Sequence, residues 1–205
     1  MLELYDYLDS GNGYKIRLLL AQLELPYRHV ELDIMRGESR TPQFLAINPN
    51  GRIPVLGLGD GRYLTESDAI LWYLAEGSSY LPTERYARGQ VLQWMFFEQY
   101  SHEPYVATPR FIVRHLGADS PRRAELPKRL ASGREALAVM ETQLRQRDFF
   151  VGERYTIADI ALYAYTHVAE DGGLELSPFP RVRAWLDRVA AQPRYVGLFE
   201  RPAPV

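Results

Sequence analysis

The 205-residue chain predicts an α/β domain of order βαβ-α-ββ-α followed by an all-helical domain. Three observations lead there. In the first part, short runs of alternating apolar and polar residues interleave with segments of helical period. Gly77 to Pro82 then replaces regular pattern with small residues and a proline, as a linker does. Beyond it the texture is helical almost to the end, and the charge shifts too: 7 basic and 11 acidic residues through position 80, against 17 and 15 after it. The expected domains are residues 1–77 and 85–205, joined by residues 78–84.

Leu2 to Asp6 alternates and is short, as a strand should be. The loop Tyr7 to Gly13 follows. From Tyr14 the period becomes helical, with Ile16, Leu19, Leu20 and Leu23 on one face until Leu25 and Pro26 stop it. Tyr27 to Asp33 alternates again, which completes a βαβ unit. Thr41 and Pro42 have the residue types of an N-cap and first helical position for a short helix through Phe44, Leu45 and Ile47. Val55 to Leu58 and Tyr63 to Thr65 flank Gly59-Asp60-Gly61 as a hairpin. A helix from Ser67 to Glu76 closes an order that is thioredoxin-like.

In the second half, Tyr86 to Arg114 is a long amphipathic region interrupted near Pro104 and Pro109, and Pro121 to Arg147 is a second long helix. Thr156 and Asp159 have the spacing of a capping box ahead of an apolar helix, which reads as a folding signal rather than as chemistry. A last helix, Arg181 to Gln192, follows Pro178 and Pro180.

Composition narrows the function. A hydrophobic fraction of 46%, with 24% charged residues and a net charge of -2, is that of a soluble globular protein and argues against a nucleic-acid binder. The chain has no cysteine, so disulfides, thiolate metal sites and a protein-thiol nucleophile are excluded. The first residues lack the basic start and apolar run of a signal peptide, and no apolar stretch reaches membrane-span length. The expected setting is cytoplasmic, with no membrane partner.

The stretch Asn48 to Leu56 holds the strongest hint of chemistry. Ile53 precedes Pro54 and is therefore held extended, with backbone groups that an extended peptide ligand can pair with; Pro54 begins the strand or makes a tight, cis turn into it. Downstream, Glu66 and Ser67 precede the apolar run Ala69-Ile70-Leu71, placing a hydroxyl and free amides at a helix N-terminus, where a carboxylate is favoured. Capping alone would use the same two residues. The residues point to a site for a small charged peptide.

Over essentially its whole length the sequence resembles the cytosolic glutathione transferases, in a bacterial, serine-type or Nu-like form. The resemblance rests on Leu4-Tyr5 followed by a Ser-Gly-Asn loop, on Pro42-Gln43-Phe44-Leu45 leading to Asn48-Pro49-Asn50-Gly51-Arg52-Ile53-Pro54-Val55-Leu56, on Glu66-Ser67 with Ala69-Ile70-Leu71-Trp72-Tyr73-Leu74, and on Thr156-Ile157-Ala158-Asp159. It implies a thioredoxin-like domain with an all-helical partner, a homodimer, and glutathione as cosubstrate with no metal. Ile53, beside a cis Pro54, would pair with the cysteinyl part of glutathione, and Glu66 and Ser67 would hold its γ-glutamyl end.

Catalysis with glutathione needs the thiolate, and a free thiol has a pKa of about 8.5, so a donor must stabilise the sulfur anion. The family uses Tyr, Ser or Cys; Cys is absent here. Ser10 and Asn12 match the positions of the serine-type and Nu-type sequences, with Tyr5 as rival and Tyr7 as a structural aromatic. Arg52, Ser39 and Arg40 are candidates for the glycine carboxylate. Tyr100, Tyr105, Arg110, Phe111, Arg114 and Tyr165 are candidates for the acceptor site. Glu98 and His102, four apart, suit metal ligands on a helix, but no further histidine completes a set, and His102 reads as a solvated or interface side chain. The implied activity is glutathione transfer to small electrophiles or glutathione-dependent reduction of disulfides or peroxides. A non-catalytic binding protein of the same fold is the alternative.

Overall fold

A computed structural model describes residues 1–201. The chain divides into two compact units, Met1–Gly77 with the segment that begins at Pro193, and Ser78–Gln192. The first is a thioredoxin-like α/β unit and the second is all-helical.

In the first unit, strands β1 (Leu2–Asp6), β2 (Tyr27–Glu31), β3 (Val55–Gly57) and β4 (Tyr63–Thr65) form one mixed sheet in the order β2-β1-β3-β4. β1 runs parallel to β2 and antiparallel to β3, with Tyr5 opposite both Val30 and Val55. Helices α1 (Gly11–Gln22) and α3 (Ser67–Ala75) pack on each other, and Leu4, Ile16, Leu20, Leu56, Ile70 and Leu71 form a core with no exposed surface. The short helix α2 (Pro42–Ile47) is capped by Thr41, whose Oγ1 accepts from Phe44 N, and has Pro42 at its first position. Successive strand residues face opposite sides of a sheet. Asp6 meets Arg17 of α1, at 2.9 Å, while Tyr5 meets Phe44 of α2, so α1 and α2 lie on opposite faces.

α1 starts at Gly11 rather than near Tyr14, and Ser10 is its N-cap. Two glycines in a first turn are weak helix formers, but Gly13 is required by packing: a Cβ there would lie 1.5 Å from Asp6 Oδ1. Asp6, fully buried, pairs with Arg17, whose guanidinium also donates to Leu8 O and Leu198 O at 2.6 Å each. Tyr14 Oη donates to Val196 O at 2.8 Å. The segment from Pro193 thus belongs to the first unit, where 85–205 had been expected to be one helical domain. The cause is hydrogen bonding across 181 and 182 residues of sequence, which no local pattern encodes.

The helical unit contains α4 (Arg85–Phe97), α5 (Glu103–His115), α6 (Leu126–Gln143), α7 (Ile157–Thr166) and α8 (Pro180–Ala190). Between α4 and α5 the chain widens into a π turn, Glu98–His102. Pro104 explains it: an unbroken helix would need its missing N–H at Tyr100 O, and its ring would crowd that carbonyl. Trp94, Phe150, Tyr163 and Trp185 form an aromatic core, with Trp94 and Phe150 ring centres 4.6 Å apart and Phe150 and Trp185 5.1 Å apart. The Thr156 capping box is present as expected. Among the described residues, no helix is long and apolar enough to cross a membrane.

Candidate functional site

The site candidate is the end of the first unit where the N-termini of α1 and α3 meet the loop before β3. Ser10 caps α1 with an extended backbone, and its Oγ accepts from Gly13 N at 3.3 Å. Its hydroxyl hydrogen meets no acceptor among the described residues. Asn12 stands in the first turn, and its Oδ1 accepts from Ser67 Oγ, 3.3 Å away at the start of α3. That bond joins the two helix ends, and the positive end of a helix dipole favours an anion.

Glu66 precedes Ser67 with φ 66° and ψ 114°, a left-handed conformation that is strained for a residue with a side chain. Its side chain makes no capping bond and is exposed. Ser67 is 6% exposed and engages Asn12 and Lys15 rather than capping its own helix. Simple capping therefore does not account for the pair.

The Ile53–Pro54 peptide bond is cis. The β3 ladder begins at Val55, so the N–H and C=O of Ile53 stand outside the sheet's ladders and outside the loop hydrogen bonds. The turn ahead is fixed by Asn48, whose Nδ2 donates to Arg52 O at 2.7 Å and whose Oδ1 accepts from Asn50 N at 3.1 Å. Arg40 donates to Asn50 O at 2.9 Å and lies over Gly51, where a Cβ would come within 2.5 Å of its Nη1. It is a brace for this turn. Ser39 is 5% exposed and offers a ligand little surface, whereas Arg52 is exposed.

Tyr5, the rival to Ser10, is committed elsewhere. It lies on the α2 face, between Phe44 and Tyr63, and its phenol donates to Glu3 Oε2 at 3.0 Å. Burial and then the Glu3 carboxylate push the phenol up to about 12, so it keeps its proton.

The acceptor candidates are carried by the π turn, α5 and α7. Tyr100, on the π turn, is 84% exposed. Tyr105, Phe111 and Arg114 are spread over α5, and Tyr165 is on α7. Arg110 is corrected outright: it is 3% exposed and donates to Asp171 Oδ2 at 3.1 Å, holding the turn Ala169–Gly172 on α5. His102 is also not a solvated or interface residue. It is fully buried, and because Thr166 Oγ1 donates to Leu162 O at 2.7 Å, His102 Nε2 is the donor in its 2.9 Å bond to that oxygen. A cavity of about 490 Å³ in this unit, bordered by Leu81, Ala87 and Val151, includes none of the acceptor candidates.

Sequence reasoning passed over Lys15 and Asp68. Lys15 is fully buried, with Nζ 3.1 Å from Asp68 Oδ1 and 3.3 Å from Ser67 Oγ. A lysine in a helix whose apolar face lies elsewhere reads as solvated, and only the α1–α3 packing shows otherwise.

Residues 1–76 match the family described as glutathione S-transferase, N-terminal domain, and residues 94–193 match the glutathione S-transferase C-terminal domain. The disulfide-bond oxidoreductase YfcG of Escherichia coli is 30% identical over 94% of this chain and 92% of its own length. A glutathione S-transferase from Pseudomonas fluorescens superposes with a TM-score of 0.95 at 53% identity, covering 97% of this chain and 99% of that one. A second protein from that species, a glutathione transferase family member solved with two glutathione bound, has a TM-score of 0.82 at 31% identity over 94% of this chain and 89% of its own.

Proposed function

The chain belongs to the glutathione S-transferase family, and from that premise we propose that it binds glutathione at the first unit and ionises its thiol. The observation that carries this reading is the Ser67 Oγ to Asn12 Oδ1 bond, which brings the N-termini of α1 and α3 together. The cysteinyl backbone pairs with Ile53 beside the cis Pro54, Glu66 takes the γ-glutamyl amine, and Ser67 with the α3 amides takes its carboxylate. The sulfur lies at the α1 end, where Ser10 Oγ donates to it while still accepting from Gly13 N. Asn12 supplies the second donor. Arg52 binds the glycine carboxylate, with Arg40 bracing its turn and Ser39 behind it.

The thiolate then attacks a small electrophile or a disulfide. Disulfide reduction balances without any protein thiol: one glutathione forms a mixed disulfide and releases the first product thiol. A second glutathione resolves it to oxidised glutathione and the second thiol. The name of the Escherichia coli relative and the two glutathione molecules in the Pseudomonas fluorescens relative favour this branch, peroxide reduction being its close variant. The helical unit selects the acceptor, with Tyr100, Tyr105, Phe111, Arg114 and Tyr165 as the side chains to vary. We further read the protein as a cytoplasmic homodimer, since α4 and the π turn leave Tyr86, Phe96 and Tyr100 exposed on one helical side.

The test is calorimetry with glutathione, followed by an aryl-halide conjugation assay and a small-disulfide reduction assay run side by side. Binding with turnover in either assay supports the reading. Tight binding without turnover makes the protein a carrier, and absence of binding makes it a scaffold of the same fold.

A further inference from the structure

Beneath the proposed site lies a charged group that none of the steps above uses. Lys15 has no exposed surface, although removing an ammonium from water is costly unless it is paired. Its partners are Asp68 Oδ1 at 3.1 Å, which is 14% exposed, and Ser67 Oγ at 3.3 Å. Ammonium nitrogen only donates, so Ser67 Oγ accepts from Lys15, and its own hydrogen goes to Asn12 Oδ1 at 3.3 Å. The three groups form a directional relay from the α1 interior to the α3 start and back to the first turn of α1. A hydrogen-bond chain of this kind polarises along its length.

The relay has two consequences. With Oδ1 held by Ser67, the Asn12 amide presents its Nδ2, the donor half, on the other side of the group. The positive charge at the relay's far end also favours a negative charge near its outlet, through a medium of lower effective dielectric than water. Asp68 from α3 is the charged group 3.1 Å from Lys15; Glu66 stands at that helix's N-cap, Asp9 lies on the loop before α1, and Arg17, on the same helix as Lys15, is engaged by Asp6 of β1.

We infer that Lys15 is a positioning residue for thiol ionisation: through Ser67 it orients the Asn12 amide toward the sulfur and adds positive charge behind it, with Asp68 setting how much of that charge is felt. The inference rests on the glutathione reading above. Lys15 does not touch the sulfur. The thiol gives its proton to solvent, and Lys15 takes no part in that transfer.

The experiment follows thiolate absorbance of the enzyme–glutathione complex against pH, alongside calorimetry with S-methylglutathione, which has no ionisable thiol. Lys15→Met should raise the apparent pKa of the bound thiol by about one unit. Asp68→Asn, which removes the carboxylate charge 3.1 Å from Lys15, should lower it by about half a unit. Should Lys15→Met fold poorly because Asp68 is stranded, the double variant Lys15→Met, Asp68→Asn removes both charges and should still show the raised value. A purely structural role would lower the melting temperature of both single variants without moving the thiol in opposite directions. Wild-type protein that binds neither ligand sinks the functional reading and this inference with it. Wild-type protein that ionises glutathione, with Asp68→Asn and the double variant titrating identically to it, overturns the role of Lys15 alone.

Discussion

Two helix N-termini in this molecule use the same chemistry to opposite ends. At α7, Thr156 accepts from Ala158 N and donates its hydroxyl hydrogen to Asp159 Oδ2, at 3.3 and 3.2 Å. Asp159 also accepts from Thr156 N, Phe150 N and Trp185 Nε1 at 2.9 to 3.1 Å, and it is fully buried. At α1, Ser10 accepts from Gly13 N and its hydrogen is left for something outside the described residues. The first terminus is closed and holds α7, α8 and the Phe150 loop together. The second is open, next to a strained Glu66 and an extended Ile53. Saturation, more than residue type, separates a structural cap from a binding one.

The sharpest way to break this contrast is to truncate both. Asp159→Ala orphans three buried N–H donors and should cost about 3 kcal/mol of stability. Thermal unfolding measures this, and a fall in melting temperature with glutathione affinity per folded molecule unchanged is the expected result. Ser10→Ala should do the reverse. It loses about 1 kcal/mol as an N-cap but on the order of 10²-fold in kcat with glutathione. A rate within threefold of wild type would remove Ser10 from the mechanism.

The α/β order was legible because its signals are local: alternation in β1, the Gly-Asp-Gly turn, prolines at the ends of α1 and the start of α2. The Thr156 and Asp159 spacing foretold the closed terminus for the same reason. What escaped is non-local. The start of α1 lies three residues before the point where the helical period begins because Gly11 and Gly13 look unhelical, and for Gly13 it is Asp6 pressing on it that explains the residue. Arg110 looked like a ligand until Asp171, 61 residues away, claimed it. Lys15 was passed over because a lysine on α1 gives no sign that Asp68 lies 53 residues further on. Ionic pairs across the sequence are the part of a site that periodicity does not report.

Acid titration probes the closed unit with a smaller effect. Burial holds His167, stacked on Tyr163 with Nδ1 2.9 Å from Tyr163 O, down from 6.5 to about 4. A depressed histidine favours the fold while neutral, so its contribution is present above 6.5 and is lost as pH falls through about 4. Asp159 has the opposite sign. Burial pushes it from 3.8 up to about 6 against its four donors, so its contribution is present below 3.8 and is lost as pH rises through about 6. The two offset each other between those values. His167→Gln removes the first, and denaturant unfolding should show the variant losing about 2 kcal/mol less than wild type between neutral pH and pH 4. Parallel curves for the two proteins would place the titration elsewhere.

The smallest expected effect belongs to Tyr5→Phe, and its smallness is what makes it informative. Tyr5 and Asp6 are adjacent on β1 but face opposite sides, one toward α2 and one toward α1. The phenol hydrogen is committed to Glu3, and the group resists ionisation to about 12. Removing the hydroxyl therefore loses one half-exposed hydrogen bond, about 0.5 kcal/mol, and should leave the bound thiol titrating as in wild type. Ser10→Ala should raise that titration by at least a unit, since it deletes the donor nearest the open helix end. If the outcome is reversed, with Tyr5→Phe raising the thiol pKa and Ser10→Ala leaving it in place, then the sulfur lies on the α2 face. The open α1 terminus would then be a cap awaiting nothing but water.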